Sequence, residues 1–198
     1  MTFLPNVIFK ENDRDKNTLD IYSRLLKLGI IFLTNQIDMN LSGVFMAQLM
    51  YTYYDLGKKE ITIYINSPGG CVSSSMAMIN WMNYLKNVLG VTIVTVCCGM
   101  AASAASIILS NGSAGKRFIL KYGKVMIHQP IGGIKNSQAT DIIIYAMEIE
   151  KIRSQIAEIY TENCAGKTSK EDFLKYMERD KYLLPEEALE LGLIDGIM

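Results

Sequence analysis

At 198 residues the chain can bury one substantial core and lies within the ordinary size of a single domain. Its 20 Lys plus Arg are matched by 20 Asp plus Glu, so no net field draws in nucleic acid or an anionic membrane, and partners must be recognised by shape and apolar surface. The apolar fraction of 49%, with 12 Met and 11 Tyr, is at the upper end for a soluble chain and predicts extra apolar surface hidden between subunits.

No stretch reaches the roughly 18 uninterrupted apolar residues of a membrane span, because Asn, Lys, Asp or Gly interrupts every candidate. Met1 to Arg14 carries charges at Lys10, Glu11, Asp13 and Arg14 and lacks a signal-peptide core, so a soluble, non-secreted protein is expected. Cys71, Cys97, Cys98 and Cys164 form no C-x-x-C pair and no metal-ligand spacing with the single histidine; a reducing compartment and no metal are expected. Cys97 and Cys98 fall in an apolar strand and read as small buried hydrophobes.

No repeat, low-complexity tract or linker divides the sequence, which predicts one domain over residues 1–198. Asn17-Thr18 reads as the cap of a short helix running through about Leu28 and stopped by Gly29. Ile30 to Leu33 reads as a strand and Asn40 to Leu56 as a helix ended by Gly57. Ile61-Thr62-Ile63-Tyr64-Ile65 is rich in β-branched and aromatic residues as a strand is, and it enters the turn Asn66-Ser67-Pro68-Gly69-Gly70. A helix from about Val72 to Lys86 follows, then a strand from Val91 to Val96 and a small-residue helix from Ala101 to Leu109. A strand pair is predicted near Arg117 to Leu120 and Lys124 to His128. Strands alternating with helices imply crossover connections and a largely parallel α/β sheet.

Ser137 to Cys164 gives the strongest periodic signal. Ile142, Tyr145, Ile149, Ile152, Ile156 and Ile159 recur at three- and four-residue steps, with Gly166 as a stop. About 25 helical residues would span roughly 37 Å, longer than a small α/β domain requires. The helix either lies on its own domain or projects to meet another subunit.

The lone His128 ends the apolar run Val125-Met126-Ile127, before Gln129-Pro130 and Gly132-Gly133, at a strand end where α/β folds place their sites. Isolated histidines are often structural, but a histidine base here can only be His128. Ser103 and Ser106 are both candidate nucleophiles in Gly99-Met100-Ala101-Ala102-Ser103-Ala104-Ala105-Ser106. These small residues either let a helix pack closely or leave room for substrate at a strand-to-helix junction, whose first-turn N–H groups favour developing negative charge. The Asn66–Gly70 turn lacks the lysine and spacing of a phosphate loop. It is either a plain turn or a source of unobstructed N–H groups for an oxyanion or a peptide edge. Several aspartates could complete such a site, and Asp180 by itself looks like part of a solvated charge cluster.

Several stretches, in order, resemble the proteolytic subunit of the Clp peptidases: Phe3-Leu4-Pro5, Asp20-Ile21-Tyr22-Ser23-Arg24-Leu25-Leu26, Tyr64 to Gly70, Ala101-Ala102-Ser103, Met126-Ile127-His128-Gln129-Pro130, Gln138-Ala139-Thr140-Asp141, Glu178-Arg179-Asp180 and Gly192-Leu193-Ile194-Asp195. The resemblance implies an α/β, ClpP/crotonase-like fold of stacked βαβ-type units with a protruding handle, here about residues 124–166, and an N-terminal axial segment at 1–18. It implies a Ser103, His128 and Asp180 triad, an oxyanion hole from the N–H groups of Gly70 and Ala104, and a peptide groove along Gly69, Gly70, Cys71, Gln129, Pro130, Ile131 and Gly132.

By the same resemblance the chain is an ATP-dependent serine endopeptidase subunit, homomeric or mixed, in two stacked heptameric rings. A hexameric Clp-type AAA+ ATPase, docked near Tyr64, Tyr84, Phe118 and Leu120, would use the ATP and feed in unfolded polypeptide. The chain itself would need no cofactor and would work in a bacterial cytoplasm rather than an organelle stroma. Met100, Ala104-Ala105, Cys71, Ser75, Thr62 and Cys98 depart from the usual family pattern, and residues Asn87 to Val91 carry a few extra positions. A weakly active ring subunit needing an active paralogue, or an acyl-CoA enzyme on the same superfamily fold, are the alternatives.

Overall fold

The computed structural model describes residues 6–12 and 15–198, with side chains from residue 18 onward. Phe3-Leu4-Pro5 lies outside the described residues, as do Met1, Thr2, Asp13 and Arg14 of the expected axial segment. β1 (Asn6–Asn12) and β2 (Asp15–Asp20) pair as an antiparallel ribbon. Asn17 and Thr18 are therefore strand residues opposite Phe9 and Ile8, and not the predicted cap. Asp20 caps α1 (Ile21–Leu26) instead, its carboxylate accepting the N–H groups of Tyr22 and Ser23 at 3.0 Å each.

β3 (Ile30–Leu33) is followed by α2 (Met39–Tyr54), which begins one residue before the predicted Asn40 because Asp38 accepts the Leu41 N–H at 2.7 Å. β4 (Glu60–Ser67), α3 (Val72–Asn87) and β5 (Thr92–Ala102) build the centre of the main sheet. β3, β4 and β5 are parallel neighbours, as the alternation of strands and helices predicted. Ile61, Ile63 and Ile65 point to the face where Phe45 and Leu49 of α2 and Met78 and Met82 of α3 complete the core. Each such fully buried side chain stabilises the fold by roughly 1.5–3 kcal/mol.

β5 is six residues longer at its C-terminal end than the strand predicted to stop at Val96, and this extension organises the site. Its Thr95–Cys97 stretch pairs in parallel with β6 (Arg117–Ile119), whereas Met100–Ala102 pairs in parallel with β7 (Lys124–Ile127). β6 and β7 are thus not partners of one another, contrary to the predicted strand pair. Between these halves the register to β4 slips, from Ile65 opposite Cys97 to Ser67 opposite Ala101. The Asn66 side chain fills the bulge and accepts the Met100 N–H at 3.0 Å, in space that a Cβ on Gly99 would invade at 2.5 Å. Strand alternation also separates the adjacent cysteines: Cys97 is buried, but Cys98 is exposed rather than the expected buried hydrophobe.

The remaining elements are α4 (Ala104–Ser110), α5 (Ala139–Asn163), α6 (Lys170–Tyr176), β8 (Lys181–Leu183), α7 (Pro185–Glu190) and β9 (Gly196–Ile197). β8 is antiparallel to β7, and β9 closes the sheet beside β6. α5 divides in two along its length. Ile156, Ala157 and Tyr160 are buried among α4 and α6, whereas Ile142, Ile143, Ile144 and Met147 are exposed. Ile149, Ile152 and Ile159 are half-buried between these extremes. No helix among the described residues is long and apolar enough to cross a membrane.

Candidate active site

Strand register assembles the three residues. Ala102 pairs with Met126, and the Ser103 N–H donates to the Met126 carbonyl at 2.8 Å, so residue 103 leaves β5 beside the end of β7. Ile127 pairs with Lys181 in the antiparallel β7–β8 ladder, so the next residues outward, His128 and Asp180, face each other. Their side chains complete the pattern. His128 Nε2 lies 2.8 Å from Ser103 Oγ, and His128 Nδ1 lies 2.9 Å from Asp180 Oδ1. The imidazole is nearly enclosed at 12% exposure, whereas the carboxylate is open at 56%. Gln129 holds the segment before Asp180, its N–H donating to Met177 O at 2.6 Å and its side chain to Glu178 O at 2.9 Å.

Ser106, the other candidate nucleophile, is fully buried and its Oγ donates to the Ser103 carbonyl at 2.6 Å. Only Ser103 meets the histidine. Ser103 also has the unusual backbone, at φ 54° and ψ −127°. That conformation suits glycine, and a side-chain-bearing residue held there costs about 1–3 kcal/mol. It explains why the predicted helix from Ala101 starts only at Ala104: Ala101 and Ala102 belong to β5, and the sharp turn at Ser103 separates strand from helix.

The Gly69-Gly70 pair lies against this turn. A Cβ on Gly69 would sit 2.4 Å from Ala102 O and 2.8 Å from Ala104 N, and one on Gly70 would sit 2.2 Å from Ile37 O. Both residues have positive φ, 85° and 150°, so no other residue fits either place without moving backbone. Ile37 pins the loop as an isolated parallel bridge, donating to Gly69 O and accepting from Cys71 N, each at 2.8 Å. The Gly70 N–H shares a trans peptide with the Gly69 carbonyl that accepts from Ile37, so it is turned away from Ile37. Ala104, as the first residue of α4, has no acceptor within its helix for its own N–H.

A cavity of about 490 Å³ opens over Ser103, lined by Gln36, Pro68, Gly69, Gly70, Val72, Met126, His128, Pro130 and Ile131. A second, of about 590 Å³, runs past His128 along Gln129 to Gly132 and Glu178 to Asp180. Cys71, the N-cap of α3, is exposed at the rim. Hydrogen bonds from Ser73 and Ser74 bring its thiol down to about 7, while burial pushes Cys97 up to about 11. The stretch from Gln129 through Gly133 adopts neither helix nor strand.

Residues 13–198 match the family model described as Clp protease. This chain belongs to the Clp protease family. The family match spans every residue placed at the site above. Of the residues tied to docking in the Clp protease resemblance, Tyr64 and Phe118 lie in register on one sheet face with Val96 between them, and Phe32 stacks on Tyr64 at 5.6 Å. Leu120 follows directly after β6. Tyr84 is separate, on α3 beside Trp81, and α3 packs on the opposite face of β4. Sequence reading missed Gln36, Ile37, Val72 and Met126 as parts of this site. The one available signal was the single apolar Ile37 between polar Gln36 and Asp38.

Proposed function

We propose that this chain is a serine endopeptidase subunit that cleaves unfolded polypeptide by acyl transfer, with Ser103 as nucleophile, His128 as general base and Asp180 as the group orienting the imidazole. The hydrogen-bonded line from Ser103 Oγ through His128 to Asp180, open to a cavity at the serine end, carries this reading. His128 Nε2 takes the Ser103 proton as Oγ attacks the scissile carbonyl, and Asp180 fixes the tautomer with the Nδ1 proton facing it. The N–H groups of Gly70 and Ala104 receive the oxyanion. The tetrahedral intermediate collapses as the imidazolium protonates the leaving amine, and water then repeats the sequence on the acyl-enzyme. The backbone of Gly69 to Cys71 on one side and of Gln129 to Gly132 on the other offers a peptide two edges to lie between.

The chain acts within two stacked heptameric rings, homomeric or mixed, fed by a hexameric Clp-type AAA+ ATPase in a bacterial cytoplasm; it uses no cofactor of its own. The unpartnered Ile142, Ile143, Ile144 and Met147 on α5 supply apolar surface for a handle between rings. The aromatic row of Phe32, Tyr64 and Phe118 supplies part of an ATPase cleft, which Tyr84 can join only from a neighbouring subunit. An intact, closely spaced Ser-His-Asp line supports the enzyme over a catalytically idle ring subunit. The test is hydrolysis of a short fluorogenic peptide by the purified homo-oligomer together with fluorophosphonate labelling. Turnover and labelling that both vanish in Ser103→Ala support the peptidase; an inert wild type that works only beside a paralogue refutes it.

A further inference from the structure

Ser106 and Tyr160 form a buried polar pair that the proposed acyl-transfer chemistry does not use. Tyr160, on α5, is 1% exposed, stacked on Phe173 with ring centroids 5.2 Å apart, and its hydroxyl lies 2.7 Å from Ser106 Oγ. Ser106 in turn directs both of its donors at one atom, the Ser103 carbonyl oxygen: its N–H at 2.9 Å and its Oγ at 2.6 Å. Proton counting sets the direction of this line. A carbonyl has no hydrogen, so Ser106 must donate its only hydroxyl proton there, and the Tyr160 O–H must donate to Ser106 Oγ. Burial pushes the Tyr160 phenol up, which keeps that proton in place.

The carbonyl so held belongs to the same planar unit as the Ala104 N–H, and in a trans peptide the two point in opposite directions. Fixing one aims the other. We propose that Tyr160 and Ser106 are positioning residues which, by clamping the Ser103 carbonyl, hold the strained Ser103 turn and aim the Ala104 N–H at the oxyanion. This rests on the oxyanion role of Ala104 proposed above. The clamp is needed because Ser103 sits at φ 54°, where relaxation of the turn would rotate that peptide and carry the N–H away from the cavity. The other side of Ser103 is already fixed by its N–H on Met126 O. Donation from Tyr160 polarises the Ser106 hydroxyl and strengthens its bond to the carbonyl.

Tyr160→Phe keeps the ring stack and removes only the hydroxyl; Ser106→Ala removes the hydroxyl's bond to the carbonyl and leaves the backbone N–H bond. Each is expected to lower kcat for a short peptide roughly 3- to 10-fold, the span of one neutral hydrogen bond, with KM and ring assembly unchanged. Affinity for a peptide boronate, which forms a tetrahedral adduct, should fall by the same factor. Because the two groups act in series, the double variant should lose little more than Ser106→Ala alone. Wild-type kcat in Ser106→Ala, a loss confined to KM, or a double variant losing the product of the single effects would overturn the proposal. Crystal structures of wild type and Ser106→Ala decide it independently of turnover. A Ser103 φ and Ala104 N–H direction unchanged in Ser106→Ala refute the clamp, and a rotated 103–104 peptide supports it. If the wild type neither turns over nor labels, the peptidase assignment fails while that comparison still decides the clamp.

Discussion

Replacing Asp180 by Ala should slow the enzyme far less than the loss of an enclosed triad carboxylate does. Asp180 is 56% exposed, although its oxygen lies 2.9 Å from His128 Nδ1. A unit-charge pair at 4 Å is worth about 1 kcal/mol in water and about 4 kcal/mol near a protein surface. An open carboxylate lies toward the lower figure, so its support of the imidazolium in the transition state amounts to about 1–3 kcal/mol. That converts to a loss of roughly 5- to 150-fold in kcat/KM, against about 10⁴-fold for an enclosed triad carboxylate. The assay is kcat/KM on one fluorogenic peptide for wild type, Asp180→Ala, His128→Ala and Ser103→Ala, each first checked by sedimentation for equal assembly. The order should be a small loss for Asp180→Ala and near-complete loss for the other two. An Asp180→Ala enzyme as fast as wild type would remove Asp180 from the mechanism. One slowed 10⁴-fold would show that solvent screening had been misjudged.

The helix α5 separates assembly from stability: Ile143→Glu and Ile144→Glu, at positions 56% and 60% exposed, should leave the melting temperature within a few degrees and yield single rings or monomers in sedimentation. Ile156→Asp, at a position 3% exposed, should unfold the subunit instead, as burying an unpaired charge does; equal behaviour of the two classes would refute the division. Acid stability should follow Asp195. Burial works against its charge, but the Arg117 guanidinium, whose Nε donates to it at 2.8 Å, outweighs that and holds the carboxyl below its ordinary 3.8. Because the folded value is the lower one, this stabilisation is fully present above 3.8 and is lost as pH falls through the folded value. Asp195→Asn should therefore lower the melting temperature at neutral pH and flatten its acid limb; an unchanged limb would refute the linkage.

Much of the fold was legible because it is locally encoded. The β-branched alternation of Ile61 to Ile65, the break at Gly57 and the period of α5 each read correctly from neighbours in sequence. Errors arose where distant pairing overrode local preference. Ala101 and Ala102 are good helix formers, yet they lie in β5 because β4 and β7 flank them. Asn17 and Thr18 are good cap residues, yet β1 holds them in a ribbon. The division of α5 into a buried and an exposed half was equally hidden, since its apolar stripe runs unbroken through both.

From the order of residues alone came the class of fold, the one histidine able to act as a base and the two serines it could serve. The family resemblance named Ser103 and Asp180, but local composition could not choose between those serines or draw one aspartate out of a surface charge cluster, because strands far apart in sequence must settle their register to bring these side chains to His128. A side chain's partner across a sheet is set by which strand lies beside it and by how the ladder is aligned, and neither quantity is a property of any local stretch.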